Sequence, residues 1–178
     1  DVAKEAADIV ITDDNLYTIV KAVEEGRGVY DNIVKVVVFL LSTNLTEFFL
    51  ILFALLLNLP IPLSPTQILW INLVGDGAPA LALATDTKQN NVLKRKPRNA
   101  NEQILNLGSI RNIFFITGMF SVILLGIYLL TLSLSYHISS LIIFNLIVAG
   151  EMVILFIIRG GLFPINKFMI GSILLTFL

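Results

Sequence analysis

Residues 69–79 read Leu69-Trp70-Ile71-Asn72-Leu73-Val74-Gly75-Asp76-Gly77-Ala78-Pro79. They lie inside a long apolar run, yet they hold an amide, a carboxylate, two glycines and a proline. Asn72 and Asp76 are four apart, so a helix puts both on one face. A carboxylate at membrane depth costs at least about 2.5–3.5 kcal/mol on insertion scales, so it faces a partner, an ion or water. Gly75, Gly77 and Pro79 weaken a helix here, and Pro79 has no N–H to give the carbonyl of Gly75. Broken helices with loose carbonyls beside a carboxylate are how membrane transporters make cation sites. The alternative is an aqueous turn between two short helices. The apolar flanks, 68–74 and 78–84, weigh against it.

The composition sets the same frame. The chain has 178 residues, 56% of them hydrophobic and 14% charged, with a mean hydropathy of +0.87. These values point to an integral membrane protein and exclude an ordinary soluble domain. There is no Cys, which excludes disulfides and thiolate metal sites, and the one His, His137, argues against a histidine-built metal centre. Residues 1–14 are polar and acidic, unlike a signal sequence. The chain starts without Met and stops inside the apolar stretch 170–178, so a fragment cut at both ends is expected.

Outward from the quoted stretch, residues 1–15 read as the edge of a soluble α/β domain. The β-branched run 8–12 suits a buried strand, and Asp13, Asp14 and Asn15 are suited to cap a helix. From Leu16 the pattern is helical, with Ile19, Val20, Val23 and Tyr30 near one stripe. No Pro interrupts 16–57. One continuous helix is expected there, a cytosolic stalk over 16–35 and a span over 36–57, roughly 60 Å long against a hydrocarbon core of about 30 Å. A Pro-rich turn follows at 58–65. Further spans are expected at 66–84, 113–134, 138–158 and 168–178, the last cut short. All twelve basic residues lie before or near the first span, in 85–112 or in 159–167. The positive-inside rule puts those segments in the cytosol, and they alternate without conflict.

Three acids fall within the apolar spans: Glu47, Asp76 and Glu151. Asn44 precedes Glu47 by three and Asn72 precedes Asp76 by four, so each amide projects beside its acid. No Lys or Arg lies near them in the same span. Carboxylates gathered in low dielectric repel, and a bound cation removes that penalty. The available ligands are hard oxygens, a set that suits Ca²⁺, with its 6–8 oxygen ligands, better than the reluctantly dehydrating Mg²⁺. Na⁺ or K⁺ is also compatible. Taken singly, each amide could be interhelical glue and Glu151 a structural acid. Trp70 and Tyr136 read as interface aromatics. There is no Gly-rich phosphate loop, no nucleophile with a base, and no nucleic-acid-binding pattern.

Several stretches together resemble P-type ATPases. Asp1-Val2-Ala3-Lys4-Glu5-Ala6-Ala7-Asp8 with 9–15 resembles the end of their phosphorylation domain. Val23-Glu24-Glu25-Gly26-Arg27 resembles the start of the stalk helix. Ser42-Thr43-Asn44-Leu45-Thr46-Glu47 resembles the fifth transmembrane helix, and 69–80 the sixth. The branch most similar is the calcium pumps of the sarco/endoplasmic reticulum type and their bacterial relatives. The resemblance implies an α-helical membrane protein: a transmembrane helix bundle, the fifth to ninth helices, with a short α/β remnant of the phosphorylation domain at the N-terminus. It implies that Asn44, Glu47, Asp76 and Glu151 ligate one Ca²⁺, and that Asn72 and Asp76 ligate a second. At Gly75 the pattern departs, because the reticulum pumps have a threonine whose hydroxyl helps bind the first calcium. The implied function is ATP-driven Ca²⁺ export from the cytosol, with Mg²⁺ and ATP bound by upstream domains of the same polypeptide. The lipid bilayer is the remaining partner. A Na⁺ or other cation pump, or a non-enzymatic membrane helix module, is the alternative.

Overall fold

A computed structural model describes residues 5–8, 10, 15–87, 92–97, 103–161 and 167–176. Of the expected strand over 8–12, residues 9, 11 and 12 lie outside the described residues, and no strand occurs among those described. The described chain is a helix bundle. It comprises α1 (Leu16–Leu56), α2 (Pro65–Ala84), α3 (Leu107–Thr131), α4 (Tyr136–Arg159) and α5 (Lys167–Thr176). The first four are long and apolar enough to cross a membrane.

Each boundary has a local cause. Asn15 caps α1 by accepting from the N–H of Tyr17 at 3.0 Å. With no proline inside it, α1 runs unbroken for 41 residues. It stops before Asn58, whose φ of 55° is left-handed. Ser64 and Gln67 form a reciprocal capping box at the start of α2, with Pro65 in the first turn. Asn106 accepts from the N–H of Ser109 at 2.8 Å, so α3 starts at Leu107, six residues before the expected 113. A terminal cap outweighs the polar Ser109, Arg111 and Asn112, which hydropathy alone assigns to the loop. Gly160 ends α4 at φ 86°, a conformation that favours glycine.

The polarity of the interior identifies the solvent. Leu73 is 71% exposed and Leu130 79%, whereas Ser42, Thr43, Thr46, Thr117 and Ser121 are buried. A water-soluble domain buries the first kind of residue and exposes the second. Bundles in lipid gain nothing hydrophobic from hiding leucine, and they associate through close packing and hydrogen bonds between helices. Here Thr117 donates to the Ser42 carbonyl at 3.2 Å and Ser121 to the Thr46 carbonyl at 3.3 Å, both from α3 to α1. Two apolar clusters flank this polar layer. One holds Leu50, Ile71, Leu124, Tyr128 and Ile143; the other holds Phe39, Leu83, Leu155 and Met169.

A polar knot joins the C-terminal ends of α2 and α4 to the middle of α1. Arg159, at the end of α4, donates from Nε to both Asp86 carboxylate oxygens, at 3.1 and 3.0 Å, and from Nη2 to Oδ1 at 3.0 Å. Lys35 of α1 stands 3.5 Å from the same carboxylate. Asn32 of α1 donates to the Asp86 carbonyl at 2.8 Å and to that of Ala84 at 3.3 Å. Further out, Arg27 donates to the carbonyls of Val92 and Arg95 at 2.8 and 2.9 Å, and Arg95 pairs with Asp31 at 2.7 Å. The segment after α2 is thereby tied to the first half of α1.

Two outcomes follow for the full-length protein. Asp86→Ala removes the carboxylate that Arg159 and Lys35 share, and breaking a buried ion pair costs about 3–5 kcal/mol. Thermal unfolding in detergent should therefore fall well below wild type. Adding Arg159→Met should recover most of the loss; equal single and double mutants would refute the pair as the cause. Arg27→Ala should speed tryptic cleavage after Lys94 or Arg95, read by gel, because it frees the 92–95 backbone from α1. An unchanged cleavage rate would show that the tie does not hold this segment.

Candidate cation site

The middle of α1 carries its polar residues on the side that faces the bundle. Ser42, Thr43, Thr46, Glu47, Leu50 and Ala54 are buried and recur at three- and four-residue spacing, one stripe of a helix. The long side chain of Glu47, 5% exposed, points with this stripe into the protein.

The stretch 69–79 is neither a plain helix nor an aqueous turn. Between Pro65–Trp70 and Gly77–Ala84 lies a π-helical turn, Ile71–Gly75. The N–H of Asp76 bonds to the carbonyl of Ile71, five residues back, at 2.8 Å. Gly75 and Pro79 explain the loosened turn, since one adds backbone freedom and the other lacks a donor. Such widened turns recur at functional sites. One result is that two consecutive residues, Gly75 and Asp76, are both buried. Asn72 and Asp76 both reach α1, but at different levels and depths: Asp76 is 3% exposed, whereas Asn72 lies in the exposed class. The five-residue turn displaces the simple four-residue facing that the spacing predicts.

The hydrogen bonds sort the acids. Asp76 is fully engaged: Thr43 donates to Oδ1 at 2.8 Å and Asn44 to Oδ2 at 2.8 Å. Glu47 is half engaged, with Asn72 donating to Oε2 at 3.3 Å and Oε1 buried without a partner. Glu151, on α4, is 1% exposed, and both of its oxygens are buried without a hydrogen bond. It stands near enough to Asp76 and Glu47 to be repelled by both. No Lys or Arg among the described residues pairs with any of the three; Lys35 and Arg159 pair with Asp86, and Arg95 with Asp31. Three buried carboxylate oxygens therefore face inward with no donor, an arrangement that accepts a proton or a cation.

The five residues singled out from the sequence thus meet as two amide–acid pairings between α1 and α2, with Glu151 approaching from α4. As they stand, no three carboxylate, imidazole or thiolate groups among the described residues converge as a ready-made metal shell. Amide and backbone oxygens, or a shift of side chains, must complete one. Asn145, read as a packing residue, donates to the Leu141 carbonyl within its own helix. Thr43 is the participant that sequence reasoning passed over. Its signal was its place in the polar run 42–47 beside Asn44. Asp86 and Arg159 were also passed over, because 73 residues separate them and no local pattern links them.

Comparison with known proteins agrees with this architecture. Residues 60–178 match the family described as the C-terminus of cation-transporting ATPases. A calcium-transporting ATPase of Bacillus subtilis is 53% identical over 104 residues, 58% of this chain and 12% of that protein. One from Listeria monocytogenes is 36% identical over 184 residues, 99% of this chain and 21% of that protein. The human calcium-transporting ATPase type 2C member 1 is 47% identical over 105 residues, 59% of this chain and 11% of that protein. The chain thus spans no more than about a fifth of the length of these relatives. Four apolar spans, a polar midplane and a family match over most of its length lead to one assignment: this chain belongs to the C-terminal membrane region of the cation-transporting P-type ATPases.

Proposed function

We infer that the full-length protein is an ATP-driven pump that exports Ca²⁺ from the cytosol, and that this chain supplies most of the groups that hold the ion. The observation that carries the reading is the set of three buried carboxylate oxygens without donors, Glu47 Oε1 and both oxygens of Glu151, beside Asp76. Buried acids without a basic partner are costly unless an ion or proton joins them. The hard-oxygen ligand set favours Ca²⁺. The names of the similar proteins, all calcium-transporting ATPases, favour the same ion.

In this reading Glu47, Asp76 and Glu151 bind the cation through carboxylate oxygens, and Asn44 and Asn72 through amide oxygens. Both amides bond here through nitrogen, which leaves the oxygen as the end a cation takes. Thr43 holds Asp76 in place. Residues 1–15 belong to a cytosolic phosphorylation domain, 16–35 to the stalk and 36–178 to the membrane domain. ATP and Mg²⁺ bind to domains upstream. The unbroken α1, roughly 60 Å long at 1.5 Å per residue, joins that chemistry to the site, because a continuous helix transmits displacement along its axis. The membrane is the plasma membrane of a bacterium or an internal membrane of a eukaryote.

The test is Asp76→Asn in the full-length protein, with ATP-dependent ⁴⁵Ca²⁺ uptake measured in inverted vesicles. Uptake should be lost while the protein remains in the membrane at normal levels. Uptake equal to wild type would overturn the site assignment. Thr43→Val should weaken apparent Ca²⁺ affinity by about tenfold, since groups that orient a ligand typically contribute 10–100-fold.

A further inference from the structure

We propose that Gly75 is a positioning residue for Glu151: its missing side chain is the space into which the α4 carboxylate enters the cation site. The inference rests on the reading of Glu47, Asp76 and Glu151 as that site. A Cβ placed on Gly75 would lie 2.6 Å from Glu151 Oε2 and 3.5 Å from its Cδ. Non-bonded carbon and oxygen atoms do not approach that closely, so in this packing a side chain at 75 displaces the carboxylate from where it stands.

Three observations separate this role from the ordinary uses of glycine. Gly75 does not have the positive φ that favours glycine; among the described glycines only Gly160 and Gly161 do. Gly77, two residues on in the same helix, has nothing within 4 Å of an added Cβ, so looseness of the turn does not by itself require glycine at 75. Neither carboxylate oxygen of Glu151 has a hydrogen bond, and Oε2 lies in the space that a side chain at 75 would take.

The α4 backbone cannot simply retreat. A Cβ on the neighbouring Gly150 would overlap the Phe120 ring of α3, so α3 and α4 already touch there without a gap. The Glu151 carboxylate, by contrast, is the far end of a flexible side chain. A methyl group at 75 therefore moves the carboxylate and leaves the packing of the helices nearly intact. The expected consequence is a change in ion affinity without a comparable change in stability.

The experiment compares Gly75→Ala, Glu151→Asp and the double variant in the full-length protein. It reads the Ca²⁺ concentration for half-maximal ATP-dependent uptake, the maximal rate and the thermal midpoint in detergent. Gly75→Ala should raise the half-maximal concentration about tenfold, the scale at which groups that orient a metal ligand act. The thermal midpoint should stay near wild type. Glu151→Asp, one methylene shorter, withdraws the carboxylate from Gly75, so adding Gly75→Ala to it should change the half-maximal concentration less than twofold.

An affinity within twofold of wild type for Gly75→Ala would overturn the proposal. So would an equal further loss in the Glu151→Asp background, which would show that residue 75 acts independently of the carboxylate. Should Gly75→Ala alone fail to accumulate, the comparison of Glu151→Asp with the double variant decides by the same criterion. Asp76→Asn, run alongside, separates the two levels of inference. Loss of uptake there with no effect of Gly75→Ala refutes only the positioning role. Retained uptake in Asp76→Asn refutes the cation site itself.

Discussion

Asp76 accepts hydrogen bonds from Thr43 and Asn44 in the polar layer between two apolar clusters, and the rest of the bundle is arranged around that contact. It is the one place where a carboxylate on α2 is fully satisfied by side chains of α1. In lipid no water can supply missing donors, so the two helices must meet at this level and in this register. Thr117 and Ser121 then fasten α3 to α1 through the Ser42 and Thr46 carbonyls. The π-helical turn of α2 is part of the same arrangement, since it lets Gly75 and Asp76 face inward together.

The molecule has two polar centres built on opposite principles. Where the C-terminal ends of α2 and α4 meet the middle of α1, Asp86 is saturated with positive charge and donors from Arg159 and Lys35. A buried charge pair of this kind holds helix ends in register, and removing one partner is costly. At the midplane, Glu47 and Glu151 have oxygens that no protein donor meets. The first centre is complete in itself. The second leaves carboxylate oxygens without a hydrogen bond, which is the physical difference between the two.

Much of this is legible in the residues. The spans follow from hydropathy, because hydropathy depends on summed local composition. The three membrane acids stand out because each is costly where it lies. Other features are not legible for equally physical reasons. The start of α3 at Leu107 depends on a capping bond from Asn106, and a capped turn tolerates Ser109 and Arg111 that a hydropathy window rejects. Thr43 reads like any other hydroxyl that bonds its own helix. It does bond the Phe39 and Leu40 carbonyls, and only the approach of Asp76 distinguishes it.

The sequence by itself determined that Asn44, Glu47, Asn72, Asp76 and Glu151 need partners, since the cost of a polar group in lipid is a property of the residue and its depth. It also determined that the helix at 69–79 could not be regular, because glycine and proline act on their own backbone. The tertiary structure alone decided which partner each acid takes. Asp76 is satisfied, Glu47 half satisfied and Glu151 unsatisfied, a division set by how α1, α2 and α4 pack and not by any spacing along the chain. It also decided what Gly75 is for. Along the chain that residue reads as a weak point in a helix; in the fold, the space it leaves is filled by a carboxylate 76 residues away.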